Sequence, residues 1–210
     1  MRCVATILLV AIGLAAVAAV SMAQAPPSRA RWTVGVAYGP GKAKITGGND
    51  SLGTGWLEGP AQAIRIARSL GPFVKAGYEH QAWLREQGFY DQKLRAGTQL
   101  EALAVTAYLG RPGSALGNLY VMAGGGYAHC RLTLLEPLAP GESAIGETYE
   151  IVSKKDEFGW GGFGGLGYEF RISRSFFAGV VISYNYLDIG DEIYDTAKVV
   201  PLMANLNWGF

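Results

Sequence analysis

The last residues of the chain, VVPLMANLNWGF, alternate. Leu202, Ala204, Leu206, Trp208 and Phe210 fall on one face of an extended segment, and Met203, Asn205, Asn207 and Gly209 on the other. Successive side chains of a strand point to opposite faces, so this is a strand with one apolar side. The pattern recurs upstream. RWTVGVAYG sets Trp32, Val34, Val36 and Tyr38 against Thr33, Gly35 and Ala37, and QAIRIARS sets Ile64 and Ile66 against Arg65 and Ala67. From Phe73 onward Val74, Ala76, Tyr78, His80, Ala82 and Leu84 share a face opposite Lys75, Gly77, Glu79, Gln81 and Trp83.

A fourth strand is predicted over residues 96–110, with Leu100, Ala102, Ala104 and Tyr108 opposing Gln99, Glu101, Leu103 and Val105. Its pattern defines the register least, and a one-residue slip would exchange its faces. The fifth, 118–132, sets Tyr120, Met122, Ala128, Cys130 and Leu132 against Val121, Tyr127, His129 and Arg131. The sixth, 157–171, has Phe158, Trp160, Leu166, Tyr168 and Phe170 opposite Glu169 and Arg171. In FFAGVVISYNYLD, Phe176, Ala178, Val180, Ile182, Tyr184 and Tyr186 oppose Val181, Ser183 and Asn185. Long connections at 40–60, 86–94, 133–155 and before the last strand alternate with short ones at 69–72, 111–114 and 173–175. Eight strands so connected predict an all-β, antiparallel, up-and-down barrel, of a size that side chains alone can fill.

Half of the residues are hydrophobic, yet no stretch after residue 23 is long and apolar enough for a transmembrane helix. Alternating strands wetted by lipid on one side produce that combination. Arg2, the apolar run Cys3–Val20 and Ser21-Met22-Ala23 read as a signal peptide cleaved after Ala23. The alternative, an anchor helix, is disfavoured by the small-residue site and the Gln-Ala-Pro-Pro that follows. The expected organisation is signal peptide 1–23, a short lead-in 24–30 and a transmembrane barrel domain 31–210. Without Arg2 the net charge falls from +1 to about zero, which argues against nucleic acid as a partner. Cys130 would be the one thiol of the mature chain, unable to close a disulfide within it, and reads as a structural cysteine.

The face opposite the aromatic one collects the charges. If lipid wets the aromatics, the charges line the lumen, where opposite charges pair because an unpaired buried charge costs several kcal/mol. The predicted lumen network is Arg65, Lys75, Glu79, Glu101, His129, Arg131, Glu169 and Arg171, together with Gln81 and Gln99, and it predicts a plugged interior.

Other motifs dissolve on inspection. GWGGFGGLG contains G-x-G-x-x-G twice, from Gly159 and from Gly162, but no helix follows and the glycines sit within an alternating strand. Neither His80 nor His129 has the Ser or Asp partners of nucleophilic catalysis by spacing, and no Cys/His cluster suggests a metal. No catalytic residue, cofactor or metal site is therefore expected.

With its N-terminal signal, eight alternating strands, GLGYEF followed by a short turn and SYNYLDIG, and the terminal NLNWGF, the chain resembles the small bacterial outer-membrane β-barrel superfamily. That superfamily includes the OmpA N-terminal barrel, OmpX and the opacity-type surface proteins, and the resemblance covers nearly all of residues 31–210. It implies an outer-membrane location, with outer-membrane lipid and lipopolysaccharide as surroundings and a monomeric state. It also implies that Leu206, Trp208 and Phe210 form the signal read by the barrel-assembly machinery. The deacylases of this fold pair a His with a Ser two residues later; His129-Cys130-Arg131 and His80-Gln81-Ala82 depart from that. No wall-binding domain follows the barrel, so no direct tether to the cell wall is expected. The functions implied are membrane integrity or surface recognition through loops 40–60 and 133–155, then a narrow channel for small solutes, then lipid A modification.

Overall fold

In a computed structural model of the protein, the alternating segments are the strands. They are β1 (Trp32–Thr46), β2 (Leu57–Ser69), β3 (Val74–Phe89), β4 (Gln92–Tyr108), β5 (Leu119–Pro137), β6 (Tyr149–Arg171), β7 (Phe176–Asp188) and β8 (Thr196–Gly209). The structure describes residues 31–47, 55–89, 92–110, 118–137, 149–173, 175–190 and 195–210. The expected signal peptide 1–23 and lead-in 24–30, with parts of the connecting loops, lie outside the described residues.

Each strand pairs antiparallel with the next, and β8 pairs with β1 to close a barrel. Closure leaves neither terminal strand with an open ladder. At the seam Val34 faces Trp208 and Val36 faces Leu206, and Trp32 and Phe210 exchange backbone hydrogen bonds of 2.8 and 3.0 Å. The register fixes the tilt. From Val36 the partners run through Ile64, His80, Glu101, Tyr127, Trp160, Asp188 and Thr196, and return to β1 at Thr46, ten residues further on. With ordinary strand spacings that stagger tilts the strands by roughly 40° and gives an axial rise of roughly 2.5 Å per residue.

Six strands run further than their sequence pattern suggests, and β1 and β2 stay paired out to Ala43↔Leu57, well inside the loop expected at 40–60. β3 and β4 stay paired out to Phe89↔Gln92, so most of the connection expected at 86–94 is strand. β5 and β6 stay paired out to Pro137↔Tyr149, which leaves only 138–148 of the loop expected at 133–155. Conversely, ten residues, 109–118, separate β4 from β5 where a short break at 111–114 was expected. The expected alternation of connection lengths therefore fails at these two places. Polar residues such as Glu86, Arg95 and Lys154 signal contact with water, which a strand standing above a membrane satisfies as well as a loop does.

Six strands present the faces expected of them. Trp32, Val36, Tyr38, Ile64, Ile66, Tyr78, Leu166, Val180, Leu202, Leu206, Trp208 and Phe210 are exposed on the outer wall, and Asn205 and Asn207 are buried inside. β4 and β5 are reversed. Leu100, Ala102, Ala104, Tyr108, Tyr120, Met122, Ala128 and Cys130 are buried in the lumen, while Leu103 and Tyr127 lie exposed outside. The cause is register: Val74 faces Ala107 and Lys75 faces Thr106, so odd positions of β3 share a face with even positions of β4. The parity reverts at the next odd offset, where Leu119 faces Tyr168 on β6.

Outward positions then show one pattern, interrupted within the belt by His80 on β3 and Glu101 on β4. On β1, β8, β7 and β6 they carry no charge over Trp32–Pro40, Val200–Phe210, Phe176–Tyr186 and Phe158–Phe170, each a span of roughly 20–30 Å along the axis. Trp32, Phe170, Phe176, Trp208 and Phe210 ring one end of this belt, and Tyr127, Trp160 and Tyr184 stand toward the other. Above it the first outward charges on the eight strands are Lys42, Glu58, Glu86, Arg95, Arg131, Asp156, Asp188 and Lys198, with Lys44, Lys93 and Lys154 higher up. An apolar belt outside and charges within are the reverse of a water-soluble barrel.

Candidate functional site: a closed lumen and a charged collar

Half of the lumen is polar, and every strand contributes to it. Glu79, wholly buried, accepts from Arg65 Nε at 2.7 Å and from Gln81 Nε2 at 2.8 Å. Gln81 Oε1 accepts in turn from Asn185 Nδ2 of β7 at 2.7 Å, across the barrel. Arg65 also reaches Met122 Sδ of β5 at 3.1 Å. Nearer the end of the barrel where Trp32 meets Phe210, Tyr108 OH donates to Glu169 at 2.6 Å and Asn207 Nδ2 donates to its other oxygen at 3.0 Å. Asn205 Nδ2 donates to Tyr120 OH at 3.0 Å, and Lys75 Nζ to Thr33 Oγ1 at 2.9 Å. Most of these bonds join strands that are not neighbours. They cross the lumen and fill it.

The other half is apolar. Ala43, Trp83, Leu100, Ala128, Cys130, Leu187, Ala197 and Val199 pack there as one cluster. It exists because β4 and β5 turn their apolar faces inward. Two interior cavities, one beside Gln81 and Asn185 and one beside Asn205 and Asn207, are about 10 Å³ each, room for one water apiece.

Of the residues expected in the lumen, Arg65, Lys75, Glu79 and Glu169 meet there, and Arg171 sits exposed at the rim, donating to the Ser173 carbonyl at 2.9 Å. Glu101, His129 and Arg131 do not. They lie on the outer wall with Gln99, because the register of β4 and β5 is the reverse of the one expected. The tyrosines Tyr108 and Tyr120, which face each other where β4 gives way to β5, are expected on the lipid face by the alternation but are buried members of the polar layer. Cys130 is buried in the lumen rather than on the lipid face.

Glu101 forms a lipid-facing cluster within the belt. Its carboxylate accepts from Tyr78 OH and pairs with His80 Nδ1 at 2.6 Å. The register neighbours of His80 are Ile64 and Glu101, and the phenol of Tyr78 completes the cluster. Mutual pairing lets two ionisable groups stand in an apolar belt without an unsatisfied charge. Among the described residues no group of His, Cys, Asp and Glu could hold a metal ion.

Six of the collar charges pair strand to strand. Lys42 meets Glu58 at 2.9 Å, Glu86 meets Arg95 at 2.9 Å, and Arg131 meets Asp156 at 2.6 Å. Asp156 also receives Lys154 at 2.9 Å and His129 at 2.8 Å. Hydrogen bonds from Arg131 and then Lys154 hold its carboxyl well below the usual carboxylate range. Arg95 does the same for Glu86, and Lys42 for Glu58. Between the last two of these pairs, Arg95 and Arg131 stand on adjacent strands with like charge.

No protein-family model and no curated relative matches the sequence. Solved structures do. Neisserial surface protein A superposes with a TM-score of 0.50 at 14% identity, covering 88% of this chain and 100% of that one. Ail, the attachment invasion locus protein of Yersinia pestis, gives 0.53 at 11% identity, covering 87% and 100%. Ail in complex with the heparin analogue sucrose octasulfate gives 0.54 at 10% identity, covering 86% and 99%. At these identities the likeness shows the fold, that of the small outer-membrane barrels.

Proposed function

We propose that this protein is an integral outer-membrane barrel with a structural or surface-interaction role, and that it does not conduct solutes. The carrying observation is the lumen, crossed by Asn185–Gln81, Asn205–Tyr120 and Tyr108–Glu169 hydrogen bonds and sealed above by the cluster around Trp83 and Leu100. A conducting pore needs a continuous wet path, and these side chains occupy it. The outer belt, apolar apart from the His80–Glu101 pair, supports residence in a membrane, and the apolar N-terminal segment supports export as its route. The strand ends and loops above the collar are the parts that meet the outside, so they carry whatever recognition the protein performs. Such small barrels serve many roles on one fold, which is why the reading rests on the site and not on the neighbours.

The test is electrical. Purified, refolded protein in planar lipid bilayers is expected to give no steady single-channel openings. Reproducible unitary steps from the wild type would overturn the closed-lumen reading.

A further inference from the structure

On the outer wall, immediately above the belt, lies a groove of about 430 Å³. Its origin is local sequence. One register row runs Leu84, Gly97, Arg131, Asp156, and the row below it Ala82, Gln99, His129, Phe158. Gly97 has no side chain to fill its place and Ala82 has little, so the wall is indented between β3 and β5. The charged side chains lining the indentation are Arg95, Arg131 and Lys154, beside His129. Arg95, Arg131 and Lys154 are 44–47% exposed, whereas Asp156, which pairs with two of them, is 26% exposed and set behind them. With Lys93 and Glu86 included, four cations face two carboxylates here, an excess of two positive charges. The belt just below offers exposed Tyr127, Phe158 and Trp160.

A basic indentation directly over an aromatic, lipid-facing surface matches a molecule that is anionic at the top and acyl below. We propose that this groove binds the phosphorylated headgroup of an outer-leaflet lipid. Arg131 and Arg95 reach the phosphate with Lys154 beside them, and the acyl chains lie along Tyr127 and Phe158. Guanidinium groups suit phosphate because their planar donors engage two oxygens at once. The proposal rests on the membrane-barrel reading above, since only that reading brings lipid to this wall.

The experiment is native mass spectrometry of the refolded full chain in detergent micelles, titrated with bis-phosphorylated lipid A, with monophosphorylated lipid A and with inorganic phosphate. Each variant is first checked for the heat-modifiable gel mobility of a folded barrel. The wild type is expected to retain the bis-phosphorylated lipid best. R95Q/R131Q/K154Q is expected to lose about ten-fold or more in affinity, the scale of one or two charge-assisted contacts. Gly97→Phe, which fills the floor and changes no charge, is expected to lose binding as well. Asp156→Asn, which removes the competing carboxylate, is expected to bind more tightly, an effect that misfolding cannot imitate. Arg68→Gln, at the opposite end of the belt, is expected to bind as the wild type does. Should the triple variant not fold, Gly97→Phe and Asp156→Asn decide. Equal binding of the two lipids, unchanged binding by these variants, or displacement of the lipid by millimolar phosphate would overturn the proposal. Failure of the wild type to show a heat-modifiable barrel would instead sink the membrane-barrel reading beneath it.

Discussion

Removing the Glu79 carboxylate alone should be far more damaging than removing the whole ion pair. Glu79 is wholly buried and its partner Arg65 is 14% exposed, with Nε 2.7 Å from the carboxylate. In Glu79→Leu the guanidinium stays in the lumen without its counter-charge, a situation that costs about 3–5 kcal/mol. Gln81 Nε2, which donates to Glu79 at 2.8 Å, loses its acceptor as well, adding about 1 kcal/mol. In Arg65→Met/Glu79→Leu neither charge is present, and similar apolar volume fills the same space next to Met122. That double variant is expected within about 2 kcal/mol of the wild type, on either side. The cycle is measured by urea unfolding in lipid vesicles, followed by tryptophan fluorescence, with Arg65→Met closing it. A Glu79→Leu cost below about 1 kcal/mol, or a double variant no better than the worse single one, would refute the argument that this pair is a desolvated unit.

Three further outcomes are expected. Val36→Arg, near the middle of the belt, should cost about 2–4 kcal/mol in the same assay, against close to nothing for Lys42→Gln at the collar. Gly167→Ala should destabilise by about 1–3 kcal/mol, because a Cβ there would run into the ring and hydroxyl of Tyr120, itself 1% exposed; Gly97→Ala, whose Cβ would meet Leu84 at an ordinary 3.5 Å, should change little. The collar carboxyl Asp156 titrates below its unfolded value, so its stabilisation is fully present above the unfolded carboxylate range and is lost as pH falls through the lowered folded value. The urea midpoint should therefore fall more steeply below about pH 4 in the wild type than in Asp156→Asn, and a parallel decline in both would exclude the pairing.

How much of this was legible in the chain depended on height along the barrel. For β1, β2, β7 and β8 the strand is mostly belt, so the apolar face names the lipid side unambiguously, and Asn205 and Asn207 can be assigned inward from the pattern alone. On β4 and β5 both faces mix polar and apolar residues. Leu100 and Ala102 compete there with Leu103 and Val105, and the decision passes to the β3–β4 register, an odd offset set by a hairpin that the pattern hides. Arg131 and His129 are polar because they stand above the lipid, whereas Glu79 and Arg65 are polar because they stand inside the wall. A one-dimensional alternation carries no coordinate that separates the two reasons. The groove at Gly97 inherits the same invisibility, since its parts come from five strands.

The eight collar charges also act as a waterline. Lowering the barrel by two residues, roughly 5 Å, would press Lys42, Glu58, Glu86, Arg95, Arg131, Asp156, Asp188 and Lys198 toward hydrocarbon together. Raising it by the same amount would lift Trp32, Phe176, Trp208 and Phe210 off the opposite interface. Both displacements cost several residues at once, so the vertical position is held within one rung of the ladder. A belt of roughly 25 Å so bounded fits a thin bilayer and mismatches a thick one. The sequence thereby encodes the thickness of the membrane in which this barrel is at rest.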